Sequence, residues 1–132
     1  MKDWLIRHAD GRRRPLTRLR TLCLALPEAR EVEAWSEPTF RVPNKLFAMH
    51  AAAGTYHGGG RGAVWFKAGP GNQTLTVKAA PPRFFVPPYV GPSGWVGAWL
   101  DGAVAWEELG GLLRDAYCLV APRRLVTMLE ET

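Results

Sequence analysis

Five arginines open the chain's chemistry: the run Arg12-Arg13-Arg14, then Arg18 and Arg20. A guanidinium is planar and permanently charged, and its fork meets two oxygens of one phosphate at once. Each phosphate so held releases counterions, so a chain gripping a polyanion this way binds with a steep dependence on salt and little sequence preference. Lys45, Lys67, Arg83, Arg123 and Arg124 are the further cations that could join such a surface. The same charges also suit a solvated arm and the wet face of an ordinary helix. Their distribution matters: residues 1–30 hold eight basic and three acidic side chains, whereas residues 31–132 hold nine of each. The body is balanced, so the arm is the part that would meet nucleic acid.

A second set is aromatic. Trp65, Phe84, Phe85, Tyr89, Trp95 and Trp99 could line a pocket for a flat ligand or stack on unpaired bases. Pro81, Pro82, Pro87 and Pro88 stiffen the loop that carries three of them, which would keep an exposed site ordered at low entropic cost. Burial in a core is the commoner fate of such rings.

Other motifs carry less. Gly58-Gly59-Gly60-Arg61-Gly62 is glycine-rich, but no Lys-Ser/Thr pair follows and the next element reads as a strand, so a hairpin connection explains it. Ala68-Gly69-Pro70-Gly71-Asn72 sits between a strand and a short helix, where exposed amides beside Lys67 could take a carboxylate or phosphate; a plain turn is the simpler reading. His50 and His57 have no Cys or carboxylate near them in sequence, and a metal needs three or four converging donors. Glu107-Glu108 and Glu130-Glu131 are adjacent on helices and point apart. No nucleophile, acid–base pair or metal cluster presents itself, so the expectation is a chain without catalytic residues, metal or cofactor.

The elements that must position these groups can be read from periodicity. Leu16, Leu19, Cys23 and Leu26 recur at helical spacing from Pro15 until Pro27 stops the helix. Short runs follow at 31–35, 39–42, 45–50 and 63–67, joined by turns at Ser36-Glu37-Pro38 and Pro43-Asn44 and by the glycine stretch. Gln73 to Ala80 reads as a short helix against its Thr and Val content. Trp95 to Leu100 is a strand, and Trp106 to Val120 a helix with Glu107 and Glu108 in its first turn, where the helix dipole favours acids. Pro122 starts a terminal helix. Consecutive strands flanked by helices predict an α+β domain of two layers: an antiparallel sheet of about five strands with helices on one face. Residues 1–14 read as a basic extension and residues 15–132 as one domain.

Taken in order, several of these segments resemble MmcQ/YjbR-like proteins. They are Leu24-Ala25-Leu26-Pro27-Glu28-Ala29, Pro38-Thr39-Phe40-Arg41-Val42, Lys45-Leu46-Phe47-Ala48 and Val64-Trp65-Phe66-Lys67. Arg83 through Gly91, Gly94-Trp95-Val96-Gly97, Leu100-Asp101-Gly102 and Asp115-Ala116-Tyr117 with Leu119-Val120-Ala121-Pro122 complete the series. The resemblance implies a CyaY-like, secretion-chaperone-like fold and a DNA-binding role, the latter inferred for the family from fold similarity. This chain departs from the pattern in its longer basic arm and in the His57-Gly58-Gly59-Gly60-Arg61 loop.

Together these readings make the chain a non-catalytic binding module with nucleic acid as the family-implied partner. The alternative is a small-molecule or protein-binding domain built on the Pro-aromatic loop 81–95. Two cysteines in helical patterns, no long apolar run and no signal-like start suit a reducing, cytoplasmic setting, a monomer and no membrane.

Overall fold

The computed structural model describes residues 15–53 and 61–131. Helix α1 covers residues 15–24 and buries Leu19 and Cys23 from the predicted stripe. Its end tightens ahead of Pro27, with the Leu26 amide turned onto the Cys23 carbonyl. Six strands then form one sheet: β1 (Arg30–Ala34), β2 (Glu37–Val42), β3 (Lys45–Ala51), β4 (Ala63–Phe66), β5 (Phe84–Phe85) and β6 (Val96–Trp99), in the order β1-β2-β3-β4-β6-β5. Every pairing is antiparallel. Helix α2 (Asn72–Ala79) falls between β4 and β5, a 3-10 turn (Gly91–Ser93) precedes β6, and α3 (Trp106–Val120) and α4 (Arg123–Glu130) close the chain. The architecture is the expected α+β arrangement, with six strands rather than five.

The additional strand is β5. Two residues between Pro81-Pro82 and Pro87-Pro88 are too few for a period of two to show, and the prolines mark the segment as loop. Pairing with β6, Phe84 to Ala98 and Phe85 to Gly97, is what makes it a strand.

One face of the sheet carries the main core. Phe40, Val42, Phe47, Val64, Phe66 and Val96 pack under Leu19 and Cys23 of α1, Leu109, Leu113, Ala116 and Tyr117 of α3, and Leu125 of α4. Each large side chain so buried contributes roughly 1.5–3 kcal/mol. The Phe47 and Tyr117 rings meet edge to face at 5.6 Å, and the Tyr117 hydroxyl donates to the Pro27 carbonyl at 2.6 Å, tying α3 to the end of α1.

A register shift shapes the other face. Phe40 stands opposite Ala48 but Arg41 opposite Leu46, so β3 holds one residue more than β2 there. Phe47 and Ala48 both join the helix-side core, while Leu46 and Met49 are turned to the far side.

Candidate ligand-binding groove

The face of the sheet turned away from the main core has its own apolar layer: Met49, Ala51, Ala63, Trp65 and Trp95 are buried, with Leu46, Phe85, Val90 and Trp99 packed against them. Above it runs an open groove of about 510 Å³ lined by Trp35, Leu46, Met49, Trp65, Tyr89, Val90 and Trp95. That volume suits a small ligand. Among the described residues, no charged side chain is in the lining.

Trp35 and Tyr89 reach the groove from two strained turns. Ala34 pairs with Glu37, so the β1–β2 connection is the two residues Trp35 and Ser36, both at positive φ (54° and 62°). This is the geometry of a type I′ hairpin, whose twist suits the strands but which ordinarily selects Asn-Gly. The sequence reading placed the turn one residue later, at Ser36-Glu37-Pro38, because Pro38 reads as a turn residue; instead Pro38 is within β2, opposite Glu33. The carboxylate of Glu37, next in the chain, is buried; it accepts the Ala52 amide at 2.9 Å and stands 3.1 Å from His50 Nδ1, which anchors the hairpin base to the end of β3. Tyr89 is the centre of a three-residue turn: its φ is 64° and the Val90 amide donates to the Pro88 carbonyl at 2.7 Å. Such γ-turns are rare because the side chain crowds its own backbone. Left-handed φ costs a bulky residue about 1–2 kcal/mol. Burial does little to offset it, since Trp35 is 62% exposed and Tyr89 59%.

The loop bearing Val90 and Trp95 is fixed by α2. Gln73 Nε2 donates to the carbonyls of Gly91 at 2.8 Å and Trp95 at 2.7 Å. Gln73→Ala leaves two carbonyls without this donor, and the expected result is a loss of about 1–2 kcal/mol in urea unfolding together with faster amide exchange over 90–95.

Beside the groove lies a stack. Phe85 lies on Trp99 with centroids 4.0 Å apart, the Arg61 guanidinium covers Trp99 at 3.9 Å, and its Nε and Nη2 each donate to Asp101 at 2.8 Å. The hydrogen bonds from Arg61 hold the Asp101 carboxyl below the usual carboxylate range. A depressed carboxyl pKa adds stability above its unfolded value, and that contribution disappears as pH falls through the folded value. By NMR, Asp101 is expected to titrate low in the parent chain and to return toward the ordinary range in Arg61→Gln.

The sites predicted from sequence separate into groups. Of the aromatic set, Trp65, Tyr89 and Trp95 line the groove, Phe85 and Trp99 form the stack beside it, and Phe84 is buried in the main core. Of the cationic set, Arg12, Arg13 and Arg14 lie outside the described residues, as do His57 and Gly58 to Gly60. Arg20 holds Glu31, Arg83 holds Glu108 and Arg124 holds Glu28, each at 2.7–3.0 Å. Arg18 covers the Trp106 ring at 4.8 Å. Lys45 starts β3 opposite Val42, Lys67 follows β4, and Arg123 begins α4. The Gly69–Asn72 segment is a turn whose Asn72 amide donates to the Gly69 carbonyl.

Sequence reasoning missed Trp35, Leu46, Met49 and Val90. An available signal for Trp35 was the spacing itself: five alternating residues, two intervening ones and a second extended run are hairpin spacing.

Cys23 is buried and Cys118 half-buried, and burial pushes both thiols above their ordinary pKa, Cys23 far more strongly. Stability tied to a raised thiol pKa is complete below the unfolded value and fades as pH rises toward the folded one. At neutral pH, a thiol reagent is expected to leave Cys23 unlabelled until the chain is denatured, as mass spectrometry will show. Among the described residues, no group of three metal-ligating side chains is assembled, and no helix is long and apolar enough to cross a membrane.

Comparison with known proteins places this geometry. No curated protein matches the chain. The crystal structure of Deinococcus radiodurans protein DR2400, with its DUF419 domain, is similar over 85% of each chain at a TM-score of 0.65 and 24% identity, a likeness of fold. The family model YjbR matches residues 24–119, which takes in all six strands and most of α3. The chain belongs to the YjbR family.

Proposed function

We propose that this domain is a non-catalytic binding module whose ligand seats in the groove over the outer face of the sheet. One observation carries the reading: Trp35 and Tyr89, each at the centre of a strained tight turn, stand largely exposed on the same apolar groove. Strain of this kind persists where surrounding structure enforces it, and it concentrates at ligand sites. Asn or Gly at either position would relieve the backbone without loss to the core. A large aromatic there offers its face to an incoming apolar surface.

The lining sets the ligand's character. With aromatic and aliphatic groups alone among the described wall residues, a charge seated there would lose its water without gaining a counter-charge. The part of the ligand that enters is therefore apolar, and the rings of Trp35, Trp65, Tyr89 and Trp95 favour a flat one.

N-phenyl-1-naphthylamine, an uncharged aromatic dye that brightens in apolar surroundings, provides the test. Saturable binding of one equivalent, with matching quenching of tryptophan emission, is the expected result. A signal that grows linearly without saturation would remove the groove from consideration.

Phosphate contact by the cationic set has weaker support. Three of its described arginines already hold carboxylates, and a phosphate would have to displace them. Duplex DNA is accordingly expected to bind weakly, and tight binding that falls steeply with added salt would reverse this ordering of the two readings.

A further inference from the structure

The groove accounts for a ligand's apolar body, and the strands beside it point to its charge. Four described arginines each hold a carboxylate: Arg20 with Glu31, Arg61 with Asp101, Arg83 with Glu108 and Arg124 with Glu28. Arg30 and Arg41 are held differently. Arg41 Nε donates to the Thr39 hydroxyl at 3.1 Å, and Arg30 donates to the Pro43 carbonyl at 2.8 Å and to the Asn44 side chain. These neutral acceptors orient the guanidinium groups without cancelling their charge. No carboxylate of a described residue lies within ion-pair distance of either.

Their placement is specific. Arg30 stands directly opposite Arg41 across β1 and β2, and Arg41 directly opposite Leu46 across β2 and β3. Directly opposed residues of antiparallel strands share a face. Leu46 lines the groove, so the row Arg30, Arg41, Leu46 leads from the sheet edge into it. The neighbours agree: Glu31 reaches Arg20 on α1 and Phe40 is in the main core, so the intervening residues point the other way. The two arginine side chains part along the strands: Arg41 reaches back to Thr39, which stands opposite the groove-lining Met49, whereas Arg30 reaches forward to Pro43 and Asn44. With strands about 4.8 Å apart, the row spans roughly 10 Å.

We propose that the ligand is a small amphipathic carboxylate, its flat apolar body in the groove and its carboxylate on Arg41. The assignment rests on the groove being the ligand site, and adds the anionic group and the residue that receives it.

Two dyes that differ by one group separate the claims. 8-Anilino-1-naphthalenesulfonate is N-phenyl-1-naphthylamine with a sulfonate added, and the sulfonate stands in for the carboxylate. The sulfonate dye should bind the full chain about tenfold more tightly, since a charge-assisted hydrogen bond is worth that much or more, and added salt should narrow the gap. In Arg41→Gln, the sulfonate dye should fall toward the affinity of the neutral dye, while the neutral dye binds as before and reports an intact groove. Equal affinities in the parent chain, or a variant that weakens both dyes alike, would overturn the anionic assignment and leave the groove standing. Failure of both dyes to saturate would instead dispose of the groove itself, and this assignment with it. Tighter displacement by an acidic peptide ending in an aromatic residue than by 2-naphthoate would transfer the site to a protein partner and overturn the small-molecule claim.

Discussion

Replacing Trp35 with glycine is expected to stabilise the chain and to abolish its binding of the neutral dye. Trp35 is at φ 54°, where a side chain collides with its own backbone and glycine does not. Relief of that strain is worth about 1–2 kcal/mol, from which the greater freedom of glycine in the unfolded chain subtracts part. Little burial is lost, because the indole is mostly exposed. A net gain of about 0.5–1 kcal/mol in urea unfolding is expected, together with at least a tenfold loss of dye affinity, since a wall of the groove is gone. Opposite signs for stability and binding are the signature of a residue kept for a partner. Loss of both together would mean that the indole serves the fold.

Gly97→Val is expected to cost about 2–3 kcal/mol, as overpacked interiors do. A Cβ at Gly97 would fall 2.3–2.6 Å from three atoms of the Phe85 ring, so the ring must leave its place on the sheet. Displacing it also breaks the stack on Trp99 and uncovers the layer below the Arg61 guanidinium. The companion variant Phe85→Ala removes the obstacle, and in that background Gly97→Val should cost much less. Additive losses in the double variant would show that the conflict lies elsewhere.

Much of the framework was legible in the chain because its signals are local. The stripe Leu16, Leu19, Cys23 needed only helical periodicity, and α2 formed where Gln73 to Ala80 was read despite Thr74, Thr76 and Val77. Those β-formers are outweighed by a contact that no local rule contains: Gln73 reaching the carbonyls of Gly91 and Trp95. The same limit hid β5, which exists by pairing with β6, and the register shift that turns Leu46 and Met49 outward. The groove was half visible. Trp65, Tyr89 and Trp95 belonged to a recognisable aromatic set, whereas Trp35 arrives from another hairpin through a turn whose residues, Trp-Ser, do not advertise it. Phe84 and Phe85 illustrate why composition could not sort the set: adjacent in a strand, they point to opposite faces, one into the core and one into the stack.

Both borders of the sheet resist lengthening. On one side β1 carries Arg30, Glu31 and Glu33, charges that a neighbouring backbone would have to bury; on the other, β5 offers two residues between proline pairs. Among the described residues, both edges are therefore poor templates for an added strand, whether from a visiting peptide or from another copy of the chain.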